Sequence, residues 1–554
     1  MKTNSKRWDL LIALGLNVLF FIAFVFVIGI KHETNDDLAL SLLVEGAYGE
    51  RTPYMVYSNV IWGKILVGFY NWIPTIKWYM VLMLTILFGA HTSMTYMNLR
   101  TQGRKLGIVV STTLLLFLGH YSYSIFQYSR IAPVVTAAGL LLLFYAIEQA
   151  ESKCERWICL VAGTLMAVWG SLVRFQMFAL AVALLGGAIG LHRVWMILKE
   201  RRTDWLKQIG IYVAVFGTVG ALSLVCLVID KMHYNSEEWQ YYQKFNVVRT
   251  ELWDYGFPVY EGNEEAYKQA GADYIDCVYY QTWNMDEEAM TLENLQMIAD
   301  VKPDKKFDLF GFLSIFPKYF FSISVFVLFL VLAVIAFGLN WKNLYFILFE
   351  CAGVMAFEAY FYYIGRYAIP RIDNGMWMVA VMALVYAMAK DIANVEKYWK
   401  INWKQVIFSI GIIGIVFVTD YARATIVLDG VVNEAKSFYD VVKEDDEHLY
   451  IMMAKAPKIY YAFDLWEPSE LGELSNIYNS YGWEFNHEVK KAVLDEYNIE
   501  NIYRDAINNE NVYFVPGTET ALVEMYIQNN YDPNARLVAT EDIYGVIAFR
   551  LISW

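Results

Sequence analysis

The feature that most constrains this chain is a series of long apolar segments with few or no charged residues. The first of them, residues 10–30, contains no charged side chain. A bilayer core requires about 17–25 mostly apolar residues in a helix, so this segment is long enough to cross it. Of the 554 residues, 57% are hydrophobic and 18% are charged, whereas soluble proteins have roughly 25% charged residues. The sequence therefore predicts a protein that crosses a membrane many times.

The pattern predicts a bundle of about eleven transmembrane helices. The predicted spans cover residues 10–30, 80–97, 106–120, 132–147, 158–173, 177–191, 209–229, 319–338, 344–362, 375–389 and 406–418. A further aromatic segment, 54–72, is interrupted by polar residues and is interpreted as a helix lying in the membrane interface. Lys2, Lys6 and Arg7 precede the first span and place its start in the cytoplasm by the positive-inside rule. An odd number of spans then leaves the C-terminus outside.

The distribution of charge supports this orientation. Of the 44 basic residues, 18 lie in the stretches predicted to face the cytoplasm, together with only 8 of the 57 acidic residues. The rest of the chain is strongly acidic, as expected for segments on the outer side. The net charge of −13 argues against nucleic acid as a partner, because binding to a phosphate backbone requires a basic face.

Three longer segments are predicted to lie outside the membrane. Loops 31–78 and 230–313 interrupt a transmembrane domain of residues 1–418, and residues 419–554 are predicted to form a small α/β domain. Its pattern predicts strands at 449–453 and 512–515, helices at 486–497 and 519–528, and a strand pair within 537–551 that turns at 544–545. Of the five cysteines only Cys277 lies outside, so no external disulfide is expected, and no Asn-x-Ser/Thr site occurs. Both absences favour a bacterial plasma membrane.

The first external loop begins with two adjacent carboxylates, Asp36 and Asp37. Apolar residues follow them at helical spacing, so the segment is predicted to form a helix that lies on apolar material. Asp36 projects toward the apolar stripe, whereas Asp37 shares the polar face with Ser41 and Glu45 and is expected to be open to water. One interpretation is helix capping, because acidic residues in the first turn favour the helix dipole. The other is a catalytic carboxylate at the membrane surface.

The short external loops contain arginine against the positive-inside trend, and lysine is absent from them. The four arginines are Arg130, Arg174, Arg366 and Arg371. Because the guanidinium group binds phosphate in a bidentate manner, these residues are candidates for phosphate binding. The alternative is contact with lipid headgroups through extended side chains.

Two further groups of residues are candidates for function. The long loop between the seventh and eighth spans is dense in Trp and Tyr, and Arg249, Asp254 and Tyr255 are its candidate substrate contacts. Sugar rings pack on aromatic faces, although an interfacial belt also explains such aromatic residues. Glu350 and Glu358 lie on one face of the ninth span, and acids within a membrane mark a cavity or a proton path. Glu358 is close enough to the outer end to belong to a substrate cavity.

This arrangement resembles the GT-C superfamily of membrane glycosyltransferases, in particular the protein O-mannosyltransferases and the aminoarabinose lipid A transferases. The similarity comprises a short cytoplasmic N-terminus, one span, a first external loop that begins with a carboxylate pair, about eleven spans and a soluble external C-terminal domain. It implies that Asp36 or Asp37 acts as a catalytic base and that the donor is a polyprenyl-phosphate sugar. The family more often has Asp followed by Glu, so both carboxylates remain candidates.

The expected activity is transfer of a sugar to an envelope glycan, lipid or protein at the outer face of the membrane. A carboxylate takes the proton of the acceptor hydroxyl while arginines hold the phosphate leaving group. Asp36 is favoured as the base, with Asp37 orienting the site. A divalent cation at this pair is an open alternative, with no further ligands identified. The rival functions are a transporter or flippase for lipid-linked saccharides, which would use Glu350 and Glu358, and a polysaccharide polymerase or ligase.

Overall fold

The computed structural model describes residues 2–200, 203–302, 306–320, 324–366, 369–395, 411, 431–445, 447–543 and 546–554. In this part of the chain the protein is mainly helical, with a small sheet in its C-terminal region. The predicted domain boundary at 419 and the predicted turn at 544–545 lie outside the described residues. So does the predicted span 406–418, apart from residue 411.

Eight helices among the described residues are long and apolar enough to cross a membrane. They are Lys6–Ile28, Trp78–Gln102, Arg104–Ser124, Tyr128–Glu148, Lys153–Val173, Phe175–Lys199, Trp205–His233 and Trp341–Ile364. Each overlaps one predicted span, so eight of the predicted segments are confirmed as apolar helices of membrane length.

Two other predicted spans have a different form. The segment predicted at 375–389 is a pair of helices, Pro370–Ala387 and Ala389–Val395, which are bent by 53° relative to each other. The segment predicted at 319–338 contains the helix Ser324–Leu339, which is shorter than a full crossing. The described residues thus contain eight helices of sufficient length, or nine if the bent pair is one span.

The helix Tyr128–Glu148 lies at the centre of the bundle, and 89% of its apolar window is buried. It packs closely on Lys153–Val173 because Gly139 and Gly163 face each other. A Cβ atom on Gly139 would lie 2.6 Å from the carbonyl oxygen of Gly163, and small residues allow such close approach of helices in membranes. At the periphery only 11% of the apolar window of Trp205–His233 is buried, so this helix presents apolar surface outward, as contact with lipid requires.

The segments that connect these helices contain shorter helices. They are Asp36–Glu45, Val60–Trp72, Glu237–Arg249, Glu264–Gln269, Tyr274–Gln281, Leu292–Asp300 and Leu309–Phe320. The predicted interfacial segment thus forms a helix from Val60, in which Trp62 is buried and Trp72 is exposed. Two short parallel strands, β1 (Lys31–His32) and β2 (Ile125–Phe126), join the first connecting segment to the start of the central helix.

The C-terminal region contains a five-stranded mixed sheet. Its strands are β3 (Leu449–Met452), β4 (Ile477–Asn479), β5 (Val512–Val515), β6 (Ala535–Ile543) and β7 (Val546–Ser553), in the spatial order β4-β3-β5-β7-β6. Strand β3 is parallel to β4 and β5, whereas β7 is antiparallel to β5 and β6. Helices Glu488–Glu496 and Thr520–Asn530 accompany the sheet. The predicted strands and helices are present, and β4 is the strand that the sequence pattern did not indicate.

Most of the connecting helices assemble with the sheet into one body, which is named the extramembrane body because it lies apart from the membrane-length helices. Its three segments are residues 31–77, 234–302 and 447–554, and in the last of these residues 544–545 lie outside the described part of the chain. The first segment joins the third where the Gly472 amide donates a hydrogen bond to the Gly46 carbonyl at 2.9 Å. The second joins the third where the Met285 amide donates to the Ser480 carbonyl at 2.9 Å. Cys277 in this body is a buried free cysteine.

The polar face of the helix Asp36–Glu45 is buried, in part by this body and in part by the helical bundle. The Glu45 carboxylate accepts hydrogen bonds from Lys77 Nζ at 2.9 Å and from the Ser469 amide at 2.8 Å. The expectation that this face, including Asp37, is open to water is therefore wrong. Helical spacing assigned the polar face correctly, but the groups that cover it come from distant parts of the chain, which include two membrane-length helices at Asp37 and the C-terminal region at Glu45.

Candidate active site

A cavity of about 770 Å³ lies between the helical bundle and the extramembrane body. This junction cavity is defined by its charged lining residues, Asp36, Arg174, Arg249, Asp254, Arg366, Arg371, Lys455 and Lys458. Its volume lies within the range of small-molecule sites. Together with Tyr255, all of these residues except the two lysines are predicted candidates, so the fold brings four separate stretches of sequence to one place.

Part of the cavity wall on the bundle side is apolar. Met177, Leu180, Phe357 and Phe361 contribute to it, and they belong to two of the membrane-length helices. Charged and aromatic residues line the rest of the cavity. Arg174 and Arg371 come from the ends of bundle helices, whereas Arg249, Lys455 and Lys458 come from the extramembrane body. The cavity therefore suits a ligand that has both an anionic group and an apolar chain.

Asp36 begins the helix Asp36–Glu45 and lines the junction cavity. Its Oδ2 accepts a hydrogen bond from Thr34 Oγ1 at 3.2 Å. Asn35, which precedes it, makes no capping hydrogen bond through its side chain. Although an acid in the first turn still favours the helix dipole, the carboxylate keeps acceptor positions that a ligand in the cavity can use.

Asp37 is buried and does not line the cavity. Its Oδ1 accepts hydrogen bonds from the Tyr79 hydroxyl at 2.8 Å and from the Tyr128 amide at 3.0 Å. Burial raises the pKa of Asp37 to about 8, and the nearby charge of Asp36 adds to this rise while the hydrogen bonds oppose it. Asp37 thus fastens its helix to two membrane-length helices.

Within the described residues no group of three or more His, Cys, Asp or Glu side chains is placed to hold a metal ion.

Arg130 also lies away from the cavity lining. It is 1% exposed, and its Nη2 donates to Glu33 Oε2 at 2.6 Å. Its Nη1 donates to the carbonyl groups of Tyr121 and Ile125 at 3.1 and 3.0 Å. The pairing of β1 with β2 brings Glu33 to the guanidinium group of Arg130, so this arginine is held in an ion pair away from the cavity, and phosphate binding by Arg130 stays a prediction.

Tyr57 holds two arginines at the cavity. Arg174 is the single extended residue between two membrane-length helices, and its Nη1 donates to the Tyr57 carbonyl at 3.2 Å. Its guanidinium carbon lies 4.9 Å from the centroid of the Tyr57 ring. Arg249 Nη2 donates to the Tyr57 hydroxyl at 3.4 Å. An arginine that is stacked and bonded in this way loses little freedom when it binds an anion.

Arg366 precedes the bent helix pair and Arg371 lies in its first turn. The two arginines differ in their partners. Arg366 Nη1 lies 3.4 Å from Asp254 Oδ2, so part of its charge is already neutralised. Burial raises the pKa of Tyr255, and the charge of Arg366 opposes that rise. Within the described part of the chain, Arg371 forms no ion pair and lines the cavity. Arg371 is thus the more available of these two arginines for an anionic ligand.

Lys455 and Lys458 are cavity residues that the sequence did not indicate. They follow β3, and Tyr481 follows β4, so the carboxyl ends of two parallel strands face the cavity. Ligands often bind at this end of parallel strands. Lys458 Nζ lies 3.9 Å from the centroid of the Tyr481 ring. Burial, together with the charge of Lys455, lowers the pKa of Lys458 to about 8. The one sequence signal for this site is a buried apolar strand followed by two lysines.

Trp283 lines the cavity with a left-handed backbone, at a φ of 75°. Bulky residues rarely adopt this conformation, and the surrounding structure must hold it. The next residue, Asn284, anchors this segment, because its side chain accepts a hydrogen bond from the Ala454 amide at 2.7 Å. Backbone strain of this kind is frequent at functional sites, and here it positions an indole group next to the loop that carries Lys455.

Glu350 and Glu358 are buried in the helix Trp341–Ile364, and neither lines the junction cavity. Glu358 is hydrogen-bonded to Asp373 of the neighbouring helix. Phe357 lines the cavity from the same helix. The predicted substrate contact by Glu358 thus lies outside the lining.

No protein-family model matches the chain, and no curated protein matches its sequence. The class of protein is therefore defined by the fold and the cavity alone. It is a mainly helical protein with helices of membrane length, in which the bundle and an extramembrane body share a cavity rich in cations.

Proposed function

We propose that this protein is a membrane glycosyltransferase that transfers a sugar from a polyprenyl-phosphate donor to a cell-envelope glycan, lipid or protein. The observation that carries the proposal is the junction cavity, which combines the carboxylate of Asp36 with several arginines beside an apolar wall. The resemblance of the sequence to GT-C enzymes supports the same assignment.

The cationic and the apolar parts of the cavity lining match the two parts of such a donor. Arg174 and Arg371 offer guanidinium groups to the phosphate, for which charge-assisted and bidentate hydrogen bonds are the strong ones. Met177, Leu180 and Phe357 offer an apolar surface to the first units of the prenyl chain. Burial of that chain against protein or lipid is favoured by the hydrophobic effect.

In the proposed reaction Asp36 takes the proton of the acceptor hydroxyl as the hydroxyl oxygen bonds to C1 of the sugar. The bond between C1 and the phosphate oxygen breaks, and its electron pair leaves with the prenyl phosphate. Arg174 and Arg371 stabilise the charge that develops on the departing oxygen. Trp283 and Trp483 offer aromatic faces on which the sugar ring can pack.

A transporter or flippase for lipid-linked saccharides is the alternative from another class. The buried acids Glu350 and Glu358 favour it, since ionisable residues within a membrane often mark a transport path. Both lie outside the cavity lining, so the glycosyltransferase proposal accounts for more of the cavity residues. A polysaccharide polymerase or ligase would bind the same donor group and would differ in its acceptor.

The proposal locates the extramembrane body on the outer side of a bacterial plasma membrane. The hydrogen bonds between its three segments support their lying on one side of the bundle. The basic residues of the loops at the other end support a cytoplasmic position for those loops.

A reporter that is active only in the cytoplasm is expected to be silent when it is fused after Trp554. A reporter that is active only outside is expected to work at the same position. Fusion after Lys199, in a loop predicted to be cytoplasmic, is the control and should give the opposite pattern. Cytoplasmic activity at Trp554 would contradict the orientation.

Undecaprenyl phosphate is expected to raise the thermal unfolding midpoint of the detergent-purified protein more than undecaprenol does. Both lipids have the same chain, but only the phosphate can bind the arginines, and a ligand that binds the folded state stabilises it. The measurement is the unfolding midpoint as a function of lipid concentration. An equal response to the two lipids would show that the cavity does not recognise phosphate.

A further inference from the structure

The junction cavity contains more positive charge than the proposed donor neutralises. Its described lining has six cationic side chains and two carboxylates, of which Asp254 is paired with Arg366. A sugar joined to one prenyl phosphate is a phosphodiester with a single negative charge. Cationic groups in a partly enclosed site are costly unless they are paired. The lining therefore favours a second anion beside the donor phosphate.

The cations belong to two different walls. Arg174 lies between two helices of the bundle and Arg371 is in the first turn of another, whereas Lys455 and Lys458 follow β3 in the extramembrane body. Lys455 is exposed and, in the described part of the chain, forms no ion pair. Lys458 lies on the ring of Tyr481. The part of the lining that Lys455, Lys458 and Tyr481 form thus has positive charge next to an aromatic surface.

We propose that Lys455 and Lys458 bind an anionic group, phosphate or carboxylate, of the acceptor substrate. This inference rests on the proposed function and adds that the acceptor is anionic. Lysine acts as a point charge without the fixed fork of arginine, which suits either anion. Trp283 and Trp483 lie in the same lining, so a charged sugar unit can contact an aromatic face and a lysine together.

The test measures probe binding to the full-length protein in detergent. Glycerol 3-phosphate and glucuronate are the anionic probes, and glycerol and glucose are their neutral counterparts. The anionic probes are expected to bind more tightly than the neutral ones, and Lys455→Gln should weaken their binding about tenfold, as expected for loss of one charge-assisted contact. Lys455 is exposed, so this variant is expected to fold, and Lys458→Gln is the second variant. Lys491→Gln removes an exposed lysine outside the cavity and should have no effect.

Lipid probes distinguish the charge of the acceptor from that of the donor. Binding of undecaprenyl phosphate is expected to weaken in Arg371→Gln and to be unchanged in Lys455→Gln. A selective loss of undecaprenyl diphosphate binding in Lys455→Gln would overturn the inference, because the lysine would then bind a second donor phosphate. Equal binding of anionic and neutral probes would overturn it as well. Failure of the proposed function would instead appear as no binding of undecaprenyl phosphate to the unmodified protein.

Discussion

Asp36→Asn is expected to lower the rate of sugar transfer by about 10²–10⁴-fold, the usual scale for loss of a general base. Asparagine keeps the size of the side chain and can still accept the hydrogen bond from Thr34, but it cannot take a proton from the acceptor hydroxyl. The measurement is turnover of a prenyl-phosphate sugar by purified protein, compared at equal thermal unfolding midpoints. Transfer at the unmodified rate would remove Asp36 from the reaction.

Asp37→Asn is the matched control, because this neighbouring carboxylate is buried outside the cavity. Its transfer rate is expected to stay near that of the unmodified protein. Folding raises the pKa of Asp37 from 3.8 to about 8, so the folded state binds this proton more tightly than the unfolded state does. Stability therefore falls as pH rises between those two values. Unfolding midpoints near pH 5 and near pH 8 should show this fall in the unmodified protein and a smaller one in the variant.

Arg371→Gln is expected to raise the KM for the donor by about tenfold to a hundredfold, with little effect on folding. Loss of a charge-assisted contact to phosphate costs about 1.5–3 kcal/mol, and no ion pair within the described residues depends on this side chain. Arg371→Lys should restore little of the lost donor binding, because lysine lacks the planar fork of the guanidinium group. The measurement is the KM for the donor together with kcat.

Arg366→Gln provides the comparison within the same connection. Its effect on the KM for the donor is expected to be smaller, because the Arg366 guanidinium is shared with Asp254 at 3.4 Å. Unchanged values of KM and kcat in both glutamine variants would contradict phosphate binding by this part of the cavity.

The membrane-length helices are the most predictable part of the fold, because a bilayer fixes length and composition for each segment separately. Residues 10–30 satisfy that requirement without reference to any neighbour. The bend between Ala387 and Ala389 breaks a segment whose composition alone gives no sign of it. The strand Ile477–Asn479 has only three residues, and its place is set by pairing with β3, which is tertiary information.

A site residue can be predicted from the sequence when its type is unusual for the place where the sequence pattern puts it. Arg174 and Arg371 occur in loops that the positive-inside rule leaves poor in cations, and both line the cavity. Lys455 gives no such signal, because lysine is ordinary in a soluble domain. Its position at the cavity comes from the parallel pairing of β3 with β4. The burial of Asp37 depends on contacts with Tyr79 and Tyr128 that helical spacing does not specify.

The extramembrane body joins segments that the ribosome makes at very different times, so the body can assemble only late in synthesis. Glu45 and Ser469, which are hydrogen-bonded in the finished protein, lie 424 residues apart in the chain. At roughly 5–20 residues per second, a ribosome needs about 20–85 seconds to make the intervening chain. Through that interval Asp36 and the first helices exist without the wall that carries Lys455. Until the sheet has folded, the nascent chain therefore has only the part of the junction cavity that the bundle and the earlier connecting segments provide.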